Sequence, residues 1–266
     1  AAYKHVPIVE LNPIEGIKNN IFSTVAVCEA SVENHIEKLI LISTDKSVRP
    51  TNIMGASKRV AELVVQAYAE KESAKFHKDK NYKGTLFSMV RFGNVLGSSG
   101  SVVLKFKEQI KSGGPITLTD PNIIRYFMTI KEAAQLVIQS SVLSEGGDIF
   151  LLDMGDPIKI YDLAKQMVNL SGFSIKNKNN KEGDIEIIST GLRPGEKLYE
   201  ELLIDAEAEK TNNPLIFRAK ENFIYMDEII PKLQNLKKNI DERNEDQTLN
   251  ILNELVKEWE NQNRIN

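Results

Sequence analysis

An α/β fold with a parallel sheet is what this sequence predicts, and three observations predict it. Short apolar runs, Leu39–Ile42, Thr85–Phe92 and Ile149–Asp153, have the length and composition of buried parallel strands. Between them lie longer stretches whose apolar residues recur at helical spacing. Polar or small residues stand at the strand ends, above all Ser43-Thr44-Asp45-Lys46, and open α/β sheets place their ligands at the carboxyl ends of strands.

Taken in order, Ala1 to Pro7 reads as a loop. Asn12 to about Ala30 reads as a helix, with Ile17, Ile21, Val25 and Cys28 on one face. After the strand Leu39–Ile42, Pro50 and the capping residues Thr51 and Asn52 announce a second helix. Ala56, Val60, Leu63, Val64, Ala67 and Tyr68 line its inner face, while Met54 and Lys58, four apart, share one side near its start. Lys71 to Gly84 is rich in charge and reads as a mobile excursion. The strand Thr85–Phe92 ends in Gly93-Asn94-Val95-Leu96-Gly97-Ser98-Ser99-Gly100, whose glycines let backbone approach a ligand.

Val102–Lys111 is a helix. Gly113-Gly114-Pro115 is a turn, and Ile116–Thr119 and Tyr126–Ile130 look like an inserted strand pair about Asp120-Pro121-Asn122. Lys131–Leu143 is amphipathic, with Ala133, Ala134, Val137, Ile138 and Val142 facing inward. The strand Ile149–Asp153 and helix Ile160–Leu170 are expected to return to the main sheet. Ser174–Gly183 is an aperiodic loop before the strand Ile185–Ser189. In the tail, Ile229, Leu233, Leu236 and Ile240, then Leu249, Leu252, Leu255, Val256 and Trp259, give two helices. These are expected on the smaller domain or on a neighbouring subunit.

Composition narrows the function classes. With 41% hydrophobic and 27% charged residues the chain is an ordinary globular one, and a net charge of −3 with interleaved signs gives no nucleic-acid footprint. One cysteine, Cys28, excludes a disulfide framework. His77 and His35 lack the companions a metal site needs, so no metal is expected. No run approaches the roughly 20 apolar residues of a membrane span, and a cytoplasmic location is expected. The chain contains no G-x-G-x-x-G turn and opens on Ala-Ala-Tyr. It is therefore expected to be the carboxyl-terminal part of a longer catalytic domain, with a membrane anchor possible upstream.

Singly, the polar residues at the strand end have structural readings: Ser43, Thr44 and Asp45 as turn caps, Lys46 and Lys58 as surface charges, Met54 as core filler. Together they form a candidate acid–base site. Lys4 and His5 are either pocket residues or a loop charge and a packed histidine, and Arg193 either meets a ligand or pairs with Glu196.

Ser43-Thr44-Asp45-Lys46, Arg49-Pro50-Thr51-Asn52 and Met54-Gly55-Ala56-Ser57-Lys58 resemble the extended short-chain dehydrogenase/reductases. Within them the chain is similar to the CapD-type nucleotide-sugar 4,6-dehydratases. Ala1–Pro7, Arg91–Gly97 and Leu192–Lys197 extend the match, which runs to about Phe223. One departure is Met54, where the superfamily usually has tyrosine.

The resemblance implies a Rossmann-like domain, residues 1–93 and 130–172, lacking its first strands, and a substrate-binding lid with a helical tail, residues 94–129 and 173–266. It implies NAD or NADP as cofactor, with Asn20, Ser43, Lys58, Phe92 and Gly93 around it. A UDP-sugar would be the substrate, met by Lys4, His5, Asn94, Thr117, Thr119, Arg125, Arg193 and Glu196, in a homo-oligomer. The implied reaction converts UDP-N-acetylglucosamine to a 4-keto-6-deoxy sugar. Asp45 is the acid at the C6 hydroxyl and Lys46 the base at C5, its pKa lowered by burial and Lys58; Thr44 bonds the C4 hydroxyl, and Met54 replaces the usual base. A nucleotide-sugar 4-epimerase and a non-catalytic fragment are the alternatives.

Overall fold

The computed structural model describes residues 1–79, 81–201 and 208–259, and the chain divides into two compact units. The first comprises Ala1–Phe92, Gln135–Asp153 and Glu201–Asn266; the second comprises Gly93–Ala134 and Met154–Glu200.

A five-stranded sheet organises the first unit, in the order Lys38–Ile42, Leu86–Arg91, Ile149–Leu152, Ile216–Ala219, Ala208–Lys210. The first three strands are parallel, as their apolar runs predict, with Lys38 opposite Leu86 and Met89 opposite Ile149. The last two run antiparallel, an extension that the sequence between Leu198 and Phe223 does not announce. The strand Lys38–Ile42 is an edge strand rather than a fully buried one: Lys38 to Leu41 are half-buried and Ile42 is exposed.

Helix Ile53–Lys78 packs along this sheet. Asn52 caps it, its side chain accepting the Gly55 N–H at 2.8 Å, and eighteen of its first twenty residues are among those shielded from solvent from Ile53 to Glu72. Lys71–Lys78 continue this helix instead of forming a loose excursion, because Glu72 stays buried and ties to Lys75 and Tyr82. The predicted amino-terminal helix is real but broken: Pro13–Ile17 and Ser23–Glu33 flank a π turn at Lys18–Phe22. Pro7 lies in a short helix, Val6–Leu11, not a loop.

The tail helices Met226–Asp241 and Glu245–Leu255 turn Leu233, Leu236, Ile240 and Leu252, and the stretch after them turns Trp259, into the same core as Val60, Val64, Phe87 and Met89. They therefore complete the first unit and not the lid. Burying that continuous apolar stripe is the driving force.

In the second unit Ile116–Leu118, Ile185–Ser189 and Ile175–Lys176 form a parallel three-stranded sheet. Helices Val102–Lys111 and Ile160–Leu170 cover it, with Phe106, Ile110, Ile160, Ala164 and Val168 in its core. Residues 154–172 thus belong here rather than to the main sheet. The expected hairpin is also replaced: Ile116–Leu118 pairs with Ile185–Ser189, and Phe127–Met128 pairs in parallel with Asn94–Val95. Helix Ile130–Leu143 buries Ala133, Leu136 and Ser140 and leaves the expected inward residues Ile138 and Val142 exposed.

Candidate active site

The strand Lys38–Ile42 delivers the polar residues by continuing its ladder past its end. The Ser43 N–H donates to Val90 O at 2.8 Å and the Asp45 N–H to Phe92 O at 3.2 Å. Residues Asp45–Ser47 then make one tight 3₁₀ turn, capped by Thr44, whose hydroxyl oxygen accepts the Lys46 N–H. A Cβ at Gly55 would overlap the Lys46 carbonyl oxygen, so only glycine lets the helix start lie this close to the turn.

Asp45 is the centre of this turn. Its Oδ1 accepts the Thr44 hydroxyl at 2.8 Å and the Lys46 ammonium at 2.9 Å. Its Oδ2 is buried and has no hydrogen-bond partner, in a residue only 2% exposed. A buried carboxylate oxygen left unpaired is costly, which marks a position where something else is to bind or a proton is to sit. The Lys46 side chain is partly exposed.

Lys58 lies one turn into the next helix, and its ammonium donates to Ile42 O at 2.8 Å. Burial lowers its pKa, and the Glu62 charge opposes that shift. Met54 is 3% exposed and packs in the apolar core; it supplies volume at its position and no proton chemistry. Asn20, in the π turn, links two segments: it accepts the Tyr3 N–H at 2.7 Å and donates to Tyr3 O at 3.0 Å and Ser57 Oγ at 2.9 Å. Lys4 and His5 follow directly on the segment that Asn20 holds, with Lys4 exposed and His5 half-buried. π turns in helices cluster at functional positions.

Ser43, expected at the cofactor, has its hydroxyl engaged within the protein. It donates to Glu62 Oε1 at 2.5 Å, and the Ser47 hydroxyl lies 2.8 Å from the same oxygen and 2.7 Å from Thr44 O. Glu62 is completely buried and is also gripped by Arg91 (Nε to Oε1, 2.8 Å; Nη2 to Oε2, 2.7 Å) and Arg59 (3.0 Å). Burial pushes its carboxyl up, but the Arg91 and Arg59 charges and the hydrogen bonds outweigh burial and bring the pKa down to about 2. Glu62, Ser47 and Arg91 escape the sequence reading, although an arginine ending the apolar run Leu86–Val90 was a visible sign of a buried acid.

In the second unit Thr119 donates to Glu196 Oε1 at 2.9 Å, while Glu196 Oε2 accepts the Arg193 backbone N–H at 3.2 Å. Glu196 therefore engages the Arg193 backbone, leaving the guanidinium outside that contact. Thr117 takes up the Gln109 amide at 2.7 Å. Arg125, expected at a phosphate, is instead buried and donates to the carbonyls of Lys197, Leu198 and Ile124. Asn94 Nδ2 donates to Tyr126 O at 3.3 Å, and Gly93 beside it is half-buried. Burial and the nearby Arg193 charge lower the pKa of Lys105, on helix Val102–Lys111; the sequence reading missed this second cation. Among the described residues no cluster could hold a metal ion, and no helix is long and apolar enough to cross a membrane.

Comparison with known proteins adds a family context. A family model described as polysaccharide biosynthesis protein matches residues 1–221. The capsular polysaccharide biosynthesis protein CapD of Staphylococcus aureus is 54% identical over 203 residues, 76% of this chain and 31% of that protein. A UDP-glucose 4-epimerase of Rickettsia rickettsii is 35% identical over 213 residues, 80% of this chain and 57% of its own length. The chain thus spans well under two thirds of these relatives. The solved structure of Pen from Bacillus thuringiensis is similar with a TM-score of 0.69 and 34% identity, covering 85% of this chain and 65% of that one. The Rossmann-like α/β architecture agrees with that match.

Proposed function

The chain belongs to the polysaccharide biosynthesis protein family, the CapD-type extended short-chain dehydrogenase/reductases, and from that premise we propose that it carries the acid–base site of a nucleotide-sugar 4,6-dehydratase. The substrate is a UDP-N-acetylhexosamine and the product its 4-keto-6-deoxy derivative. One observation supports this most: Asp45 shares one oxygen with Thr44 and Lys46 and holds the other buried and unpartnered.

The donor set at the strand end suits the nicotinamide end of NAD or NADP. Lys58 gives one of its protons to Ile42 O, and its remaining donors suit a ribose hydroxyl. Phe92 and Gly93 would border the ring, and the glycine turn that would cradle the pyrophosphate is not in this chain. Held there, NAD or NADP would supply a hydride acceptor for C4 of the sugar and a hydride donor for C6.

The residues of the chain supply the proton transfers. Thr44 orients the C4 hydroxyl. Lys46 passes a proton to Asp45 across their 2.9 Å contact, leaving a neutral amine and a carboxylic acid. The amine then removes the C5 proton while the acid protonates the departing C6 hydroxyl, which leaves as water. Both groups return to the starting ion pair; water takes the C4 hydroxyl proton as the hydride leaves and returns one to C5 as the hydride comes back to C6, so protons balance over the cycle. Within the second unit taken by itself, Arg193, through its planar fork, and Lys105 have the chemistry that suits a diphosphate.

A 4-epimerase is the second reading, favoured by the rickettsial relative. The complete protein incubated with UDP-N-acetylglucosamine in deuterated water separates the two. A dehydratase gives a product lighter by one water and carrying solvent deuterium at C5. An isomer of unchanged mass would overturn the proposal.

A further inference from the structure

The charge cluster beneath the turn has no part in the proton transfers, yet it touches the turn at both ends. Ser43 and Ser47 flank Thr44-Asp45-Lys46, and both hydroxyls converge on Glu62 Oε1. Arg91 and Arg59 supply the charges that face Glu62, and the two hydroxyls tie that carboxylate to the turn. What they fix is the loop. The unpartnered Asp45 Oδ2 makes the observed turn unfavourable by itself, since swinging Asp45 toward water would hydrate that oxygen. Some contact has to hold the turn against that tendency.

The arginines are held in their turn by the tail. Glu221 meets Arg91 at 2.6 Å and 2.9 Å and Arg59 at 3.1 Å, and Glu258 meets Arg59 at 2.9 Å. We propose that Glu62 is the positioning residue of the acid–base tripeptide, clamping it through Ser43 and Ser47, and that the tail acids Glu221 and Glu258 lock the arginines that hold Glu62. The carboxyl-terminal segment is thereby part of the catalytic platform. A planar carboxylate gripped on both oxygens cannot rotate, so the two serine anchors stay in register with each other. The catalytic consequence rests on the dehydratase reading; the clamp itself does not.

The test uses the complete protein with Ser43→Ala alone, which removes one anchor and nothing within the turn, and with Ser43→Ala and Ser47→Ala combined, which removes both anchors together with the Ser47 contact to Thr44 O; both leave the ion pairs intact. Amide hydrogen exchange at Asp45, Lys46 and Ser47 is expected to accelerate about tenfold or more, while strand Leu86–Arg91 keeps its protection. Turnover per folded molecule is expected to fall about tenfold with KM within about threefold. Glu258→Gln, which loosens Arg59 alone, is expected to move both readouts the same way by less. Unchanged exchange at Asp45–Ser47 in the double variant would overturn the clamp, and faster exchange with unaltered kcat would overturn its catalytic role. A parent without dehydratase activity would remove the functional reading, and exchange alone would then decide the clamp.

Discussion

In the second unit Thr117, Thr119, Glu196 and Arg125 find their partners within the unit, with Arg125 bonding three carbonyls. In the first unit Asp45, more deeply buried than any of these, keeps an oxygen without a partner, beside an ammonium and a hydroxyl. The contrast separates polar residues that shape a scaffold from those held ready for a ligand. Arg125 and Asp45 are both buried, and of the two only Asp45 keeps a polar side-chain atom without a partner.

If that distinction is right, the largest effect comes from the first unit. Lys46→Ala in the complete protein should lower kcat by about a thousandfold, within the range for a lost general base, while far-ultraviolet circular dichroism stays that of the parent. Next is Glu62→Gln, which removes the buried acid shared by Arg91 and Arg59, leaves them to Glu221 and Glu258, and should cost about 3–5 kcal/mol in denaturant unfolding. The same carboxyl carries a pH signature. Its pKa is held at about 2 against an ordinary 4.5, so its stabilisation is present above pH 4.5 and is lost as pH falls toward 2. That loss is about 3 kcal/mol in the parent and absent in Glu62→Gln.

The second unit sharpens the contrast with smaller effects. Arg193→Ala should raise KM for the nucleotide sugar about tenfold with little change in kcat, the loss of one charge-assisted contact. Arg125→Ala should instead lower the melting temperature, since its bonds are internal. The smallest effect is at Cys28, whose thiol burial pushes up to about 12; iodoacetamide should leave it unmodified in the native protein at neutral pH.

Much of this was legible in the residues. Helices Val102–Lys111 and Ile160–Leu170 and strand Ile185–Ser189 have the bounds that their periodicity predicts. Thr44, Asp45 and Lys46 stand together at a strand end because a short apolar run followed by four polar residues can do little else. Non-local facts were not legible. Nothing local tells that Ile116–Leu118 pairs with Ile185–Ser189, or that Ile216–Ala219 joins the main sheet antiparallel to Ile149–Leu152. The helix Ile130–Leu143 also misleads, because Ile138 and Val142 have the spacing of an inner face that Leu136 and Ser140 occupy. The family resemblance implies Ser43 at the cofactor, and no local signal announces that its hydroxyl bonds Glu62, nineteen residues away.

The most direct test of the central claim is the turnover of Asp45→Asn in the complete protein, with product detected by mass after incubation with UDP-N-acetylglucosamine and NAD. The side chain keeps its size and its oxygen toward Thr44 but can no longer pass a proton to the C6 hydroxyl. A fall in kcat of about a hundredfold or more with the melting temperature nearly kept is the predicted result. Turnover within about twofold of the parent would contradict it, and Asp45 would then be one more residue of the scaffold.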